Sequence, residues 1–244
     1  MNLKNVIIGA LLLGSTSLFA QKTAEEVVQF NLEKTGGAEH LGDFSTVKLI
    51  ATANSNGMEF PLTILQKGKT KMKSFITFQG NEIVQPASYD GTEAWSTNMM
   101  SLQDELMAED ATEAIKRETL DFPDALYSYD DNGYAVSLEA DQTVNGKECY
   151  TLILTKPDLD VMGQKISGVT KFAIDKESGL VMVKTQESGM GLIDTALEDY
   201  RKVDGVLLPF KMSTKMNGNV VSEVTVKEYI INAPIADILF SFPK

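Results

Sequence analysis

Four carboxylates, Glu105, Glu109, Asp110 and Glu113, fall close together in this chain, and paired carboxylates are the smallest set that can perform general acid–base work. They lie in a stretch of helix formers, on a chain with 34 acidic and 22 basic residues. In that setting a solvated helix face explains them without catalysis. His40 is the only histidine, which removes histidine-based triads and most zinc geometries. It follows Gly36-Gly37 in a loop, where a structural role is the simpler account. Cys149 is the only cysteine, so no internal disulfide can form. Its setting, Glu148-Cys149-Tyr150-Thr151-Leu152, is a strand pattern that suits a small buried residue. Asp158, Asp160 and Gly163 echo a calcium loop, but the other ligand positions are apolar or missing, which leaves a solvated loop. There is no G-x-S-x-G elbow, phosphate loop or dinucleotide fingerprint. No catalytic residue, metal site or cofactor is expected.

The remaining chemistry is apolar. Aromatic and methionine residues gather in the first half of the chain, and Met is adaptable enough to face variable ligands. One account is a plain hydrophobic core. The other is a cavity lined by Phe60, Leu62, Ile64, Met72, Phe75, Ile76, Phe78, Trp95 and Met99. Its lid would carry Leu102, Leu106, Ile115 and Leu126. Such a cavity could shelter an acyl chain, at about 0.8 kcal/mol per CH₂ taken from water.

The elements that would position these residues are mostly strands. Asn56-Gly57, Asp90-Gly91, Asn132-Gly133, Asn145-Gly146, Asp204-Gly205 and Asn217-Gly218 punctuate stretches rich in Val, Ile, Thr, Phe and Tyr. These pairs favour tight turns because both residues tolerate positive φ. Period-two alternation, as in Val47, Leu49, Ala51 and Ala53, gives each strand one buried face. Thr23-Ala24-Glu25-Glu26 is a capping box that opens a helix ended by Gly36-Gly37. Residues 101–118 switch to helix formers, and Pro123-Asp124 starts a second short turn. Ile235 to Leu239 suits one helical turn before a final edge segment, Phe240-Ser241-Phe242-Pro243. The expected fold is mainly β with helices: a strongly curved antiparallel sheet, an incomplete barrel of about eleven or twelve strands. It carries an N-terminal helix and a helical lid insert at 101–130.

Residues 1–20 have the form of a secretory leader: Lys4, an apolar run from Val6 to Leu13, and cleavage after Ala20. That run is too short to span a bilayer, and no cysteine at the junction would carry a lipid anchor. Residues 21–244 then form one exported domain, soluble in the periplasm and expected to act as a monomer. The formal net charge of −12 argues against nucleic acid or anionic membrane as a partner.

Tyr89-Asp90-Gly91-Thr92-Glu93-Ala94-Trp95 resembles the DG-x-x-x-W segment of the LolA-like outer-membrane lipoprotein-sorting family, whose fold LolA, LolB and RseB share. Gly36-Gly37-Ala38-Glu39-His40-Leu41 resembles the branch common in Bacteroidetes-type bacteria. So do Ile174-Asp175-Lys176-Glu177-Ser178-Gly179-Leu180, the stretch from Asp199-Tyr200 to Leu208-Pro209, and the closing Phe240-Ser241-Phe242-Pro243. The resemblance covers most of the chain after the leader. It implies an incomplete antiparallel barrel around an apolar cavity, capped by helices. It also implies carriage of an acylated lipoprotein or lipid without cofactor, in contact with inner- or outer-membrane sorting machinery. A related branch senses envelope stress by binding a protein partner, which gives the alternative of a regulatory or scaffold protein acting through its acidic surface. Well-studied carriers hold the lid with an Arg on an early strand. This chain has Lys67, Lys69, Lys71 and Lys73 there, and Lys lacks the planar fork of Arg.

Overall fold

The computed structural model describes residues 22–55, 57–189 and 191–243. The leader expected over 1–20 lies outside them. In chain order the strands are β1 (Thr46–Ser55), β2 (Met58–Lys67), β3 (Lys71–Phe78), β4 (Asn81–Tyr89), β5 (Ala94–Thr97), β6 (Asp104–Leu106), β7 (Ala135–Val144), β8 (Lys147–Thr155), β9 (Leu159–Val161), β10 (Gln164–Ile166), β11 (Val169–Asp175), β12 (Val181–Ser188), β13 (Gly191–Val203), β14 (Val206–Met216) and β15 (Asn219–Ile231). The helices are α1 (Ala24–Thr35), α2 (Gly37–His40), α3 (Glu109–Thr119) and α4 (Ala125–Ser128).

Turn chemistry sets the topology. In Asn145-Gly146, Asp204-Gly205 and Asn217-Gly218 both residues are left-handed, with φ of 50° and 80°, 42° and 91°, and 49° and 83°. Each pair closes a two-residue hairpin whose twist matches its strands. Gln79-Gly80 and Met162-Gly163 do the same without an Asn or Asp. Asn132-Gly133 joins no paired strands; the Asn132 side chain instead bonds Leu120 O and Lys69 Nζ, tying down the end of the insert.

Thirteen strands form one antiparallel sheet in the order β6-β5-β4-β3-β2-β1-β15-β14-β13-β12-β11-β8-β7, and β9-β10 is a separate hairpin. The sheet is strongly curved and not closed: its edges are β6 and β7. It consists of two meanders, β1–β6 and β7–β15, which meet where β1 pairs with β15. Two expectations need correction. Residues 101–118 are not one helix: Asp104–Leu106 pairs with β5 through Trp95↔Leu106, and cross-strand pairing overrides a modest helix propensity. The chain after β15 is not an edge strand. It turns through a short 3₁₀ helix at Asp237–Leu239 and crosses one face of the sheet.

Helix α1 starts as its capping box dictates, with Thr23 Oγ1 and the Glu26 carboxylate each accepting from the other's N–H. Its buried stripe includes Ala24, Val27, Val28 and Leu32, and it packs with Leu152, Leu154, Phe172, Ile174 and Leu197 into the main core. Asn31 Nδ2 donates to Gly179 O at 2.7 Å, which fixes the helix to the β11–β12 turn. Gly205 is required at the β13–β14 turn. A Cβ there would lie 2.2 Å from the His40 ring, so His40 is a packing residue. Cys149 is fully buried, and burial pushes its thiol pKa up.

Asp175 holds the β11–β12 turn. Burial would raise its pKa, but Lys147 Nζ at 2.8 Å, Ser178 Oγ and the Glu177 N–H outweigh that and hold it at about 2, below the ordinary 3.8. A depressed carboxylate contributes stability above its unfolded pKa and loses it as pH falls through the folded value. Asp175→Asn should therefore cost ~1–2 kcal/mol at neutral pH. It should also flatten the stability curve between pH ~4 and ~2, read by urea titration across that range.

Candidate functional site

Residues directly opposite on paired strands share a face, so the register assigns every side chain. One row runs Ile76↔Leu62↔Ala51↔Val226 across β3, β2, β1 and β15. The row nearer the β1–β2 turn runs Phe60↔Ala53↔Val224↔Met212. Phe78 joins it, its ring centre 6.1 Å from that of Phe60. The row on the other side runs Ser74↔Ile64↔Leu49↔Tyr229. Leu49, Ala51, Phe210 and Val226 are buried here, with Leu62, Ile64, Met212 and Val224 packed against them. The small Ala51 and Ala53 form a floor between Phe60 and Leu62 on one side and Val224 and Val226 on the other. This is an apolar trough on the face that also carries α1, since Met212 contacts both this cluster and the main core.

Six of the nine lining residues expected from sequence share this face: Phe60, Leu62, Ile64, Met72, Ile76 and Phe78. Phe75 and Trp95 do not. Lys73↔Ser88↔Trp95 is a row of the opposite face, and Phe75 lies on that face with Lys73. Period two along β3 separates Phe75 from Ile76, and that alternation was legible. The register from β4 to β5 that carries Trp95 across was not. Met99 projects into solvent from the β5–β6 turn. Sequence reasoning missed Phe210, Met212, Val224 and Val226. Their alternation in β14 and β15 was visible, but nothing local announces that β15 pairs with β1.

The opposite face is occupied by the chain's own C-terminal segment. Phe240 is fully buried, and its carbonyl accepts from Trp95 Nε1 at 2.9 Å and Ser88 Oγ at 2.8 Å. Phe242 packs edge-on against Trp95, ring centres 6.0 Å apart. Lys67 donates to Asp237 Oδ1 at 2.7 Å and Lys71 lies 3.3 Å from Oδ2, so these lysines clamp the segment, and their hydrogen bonds, helped by their charges, lower the Asp237 pKa. Grooves of about 620 and 500 Å³ flank it, meeting at Lys73, Glu82 and Leu239. Lys73 is buried there, paired with Glu82 at 2.8 Å, its Nζ 5.0 Å from the Phe75 ring centre.

Lys69 turns the other way, toward the insert. Its Nζ reaches Asn132 Oδ1 at 3.2 Å and Asp131 at 3.6 Å, and its carbonyl accepts from Thr119 Oγ1. At the far side of the insert Asp121 pairs with the buried Lys156, and Arg117 Nη1 donates to Pro157 O. Burial raises the Asp121 pKa against the pull of Lys156. The insert is thus tied to both halves of the sheet. Of the expected lid residues, Leu126 is buried in the main core and Ile115 is half-buried on α3. Leu102 and Leu106 are exposed, Leu102 in the β5–β6 turn and Leu106 opposite Trp95. Tyr127, Tyr129 and Tyr134 pack against the main core.

The four carboxylates do not converge. Glu105, on β6, accepts from Asn98 Nδ2 in the β5–β6 turn, Glu113 pairs with Lys116, and Asp110 accepts from the Met162 and Ala111 N–H groups, which lower its pKa. Asp158 pairs with Lys165 at 2.7 Å and accepts from the Gly168 N–H. Among the described residues, no three His, Cys, Asp or Glu side chains are placed to hold a metal ion, and no helix is long and apolar enough to cross a membrane.

No protein-family model and no curated protein matches the sequence. Solved structures do match. A LolA superfamily protein from Nitrosomonas europaea is 14% identical with a TM-score of 0.58, covering 91% of this chain and 99% of its own. A DUF1329 family protein from Desulfovibrio piger is 13% identical with a TM-score of 0.58, covering 91% and 98%. A domain described as an outer membrane lipoprotein-sorting protein, from Vibrio parahaemolyticus, is 11% identical with a TM-score of 0.56, covering 89% and 97%. The chain therefore has the LolA-like fold that its motifs resemble.

Proposed function

We propose that this chain, folded like the lipoprotein-sorting proteins, is an exported periplasmic carrier that shelters the acyl chains of a lipid or lipoprotein and catalyses no reaction. The observation that carries the reading is the apolar trough built by β3, β2, β1, β15 and β14, with its alanine floor. A trough of this kind gains about 0.8 kcal/mol for each CH₂ it removes from water, so a long chain is held without any covalent step. The insert acts as a lid, stitched by Lys69 at one side and by Asp121–Lys156 at the other. Lys69 is the lysine of the early-strand group that reaches this lid, which makes it the counterpart of the Arg latch implied by the resemblance. The scattered carboxylates, with Glu105, Asp110 and Glu113 each held by a different partner, support a role without acid–base chemistry. The leader-like N-terminus supports export.

The test is direct. Delipidated protein titrated with a fluorescent fatty acid, and separately with an acylated peptide, should bind both in the micromolar range or tighter. The same peptide without its acyl chain should not bind. Absence of binding by both acylated probes would sink the proposal.

A further inference from the structure

The row Phe172↔Lys184↔Thr195↔Thr214↔Ser222 crosses β11, β12, β13, β14 and β15. Thr214 stands two residues from Met212 on β14, so this row shares the face of the trough. Lys184 is half-buried there, its Nζ 5.5 Å from the Phe172 ring centre. It makes no hydrogen bond and no ion pair among the described residues. Other cations near this face are held by carboxylates. Lys156, beside Tyr134 at the main core, pairs with Asp121, and Arg201, over the Phe210 ring, pairs with Asp199. Lys184 also borders a cavity of about 100 Å³ where α1 and the insert meet the sheet, with Leu197 and Leu208 as apolar wall. The polar side chains of that cavity are already committed. Asn31 donates to Gly179 O, Thr35 to Asn31 O and Tyr200 to Val181 O. Asp124 accepts from the Leu126 and Tyr127 N–H groups and makes no ion pair with Lys184. The ammonium of Lys184 therefore keeps its donors for something else.

We propose that Lys184 seats the carboxylate of a free fatty acid whose tail lies along the trough, a head-group site that rests on the carrier function proposed above. The neighbouring row, Leu197↔Met212↔Val224↔Ala53↔Phe60, gives the tail an apolar track from the Lys184 end of the trough to its mouth. Four strand steps separate β12 from β1, about 19 Å at the usual strand spacing, which a long acyl chain spans. At the head, Thr195 Oγ1 and Thr214 Oγ1 lie 3.4 Å apart, and either can turn a hydroxyl toward an acceptor beside Lys184. Size and charge select a carboxylate over a phosphate. At roughly 10–15 Å³ for each water, the cavity holds several waters or one carboxylate. A phosphate monoester carries about −1.5 to −2 at neutral pH, and a single ammonium with the Asp124 carboxylate across the cavity leaves the second charge unmatched. A carboxylate brings one charge to one ammonium, in a charge-assisted hydrogen bond that a half-buried setting strengthens.

Calorimetric titration of the delipidated protein with laurate, dodecanol and dodecyl phosphate tests this, since the three differ only in the head group. The intact protein should bind laurate about tenfold or more tighter than dodecanol. Lys184→Gln should lower laurate affinity to the dodecanol level and leave dodecanol affinity unchanged, and Lys184→Arg should restore the preference. Lys215→Gln removes the same charge from an exposed residue of the opposite face and should keep the preference. The proposal is overturned if Lys184→Gln still prefers laurate, if laurate and dodecanol affinities fall together, or if dodecyl phosphate binds the intact protein more tightly than laurate. The intact protein decides the matter even without a folded variant. Dodecanol bound with no preference for laurate overturns the head-group site and leaves the trough standing, whereas binding of neither overturns both.

Discussion

Trp95→Ala should destabilise the protein by about 3–5 kcal/mol and leave acyl-chain binding unchanged. The indole is buried, donates to the Phe240 carbonyl, stacks edge-on with Phe242 and borders the Lys73 ammonium. Removing it opens a cavity at the point where the C-terminal segment is pinned, and the Phe242 ring loses its partner. Ser88 still reaches the Phe240 carbonyl, so the segment is loosened and not released outright. Urea denaturation followed by circular dichroism measures the loss. Fatty-acid titration of the folded variant measures the second half of the prediction. Because Trp95 faces away from the trough, a large drop in affinity at unchanged stability would show that the face assignment is wrong. The chain has one tryptophan, so intrinsic fluorescence reports on the C-terminal segment and should stay constant as the trough fills.

The second large effect is expected three residues from Phe75, on the same strand. Phe78→Glu should weaken fatty-acid binding about tenfold or more, roughly 1.4 kcal/mol. Phe75→Leu should not change it. Phe78 stands at the trough mouth against Phe60 and is 44% exposed, so the carboxylate remains hydrated in the empty protein and the fold survives. A bound acyl chain would have to displace that hydration, and an unpaired charge against hydrocarbon is costly. Phe75 packs with Leu65, Ile235 and Phe240 on the opposite face, where an apolar replacement affects stability only. Equal losses at both positions would mean that ligand does not enter between β2 and β3.

What the sequence could show follows from which interactions are local. Hairpins were legible because Asn145-Gly146, Asp204-Gly205 and Asn217-Gly218 carry their turn geometry in two residues. Helix α1 was legible because Thr23 and Glu26 write its cap. The three-residue β6 was hidden, since Asp104–Leu106 is a strand only by virtue of β5 beside it. The site was half legible for the same reason. Alternation grouped Phe60, Leu62 and Ile64, but the placement of Trp95 depends on a row running through Lys73 and Ser88. The part of the wall made by Phe210 and Val226 depends on a pairing between the two ends of the chain. The lysine-rich stretch stood out by composition as the place where the resemblance implies an Arg latch. Its division of labour, with Lys67 and Lys71 on the C-terminal segment and Lys69 on the insert, follows from the turn between β2 and β3 and could not be inferred from residue types.

The β1–β15 seam carries a consequence for assembly order. Every other pairing in the main sheet joins strands close in sequence, whereas Thr46 and Ala233, bonded at the end of this seam, are 187 residues apart. Closing so long a loop from an open chain costs about 3 kcal/mol more in entropy than closing a four-residue hairpin. Each hairpin formed first shortens the flexible path between the two ends. The seam is therefore cheapest to form last, after both meanders exist, and the trough it completes comes into being only at that final closure.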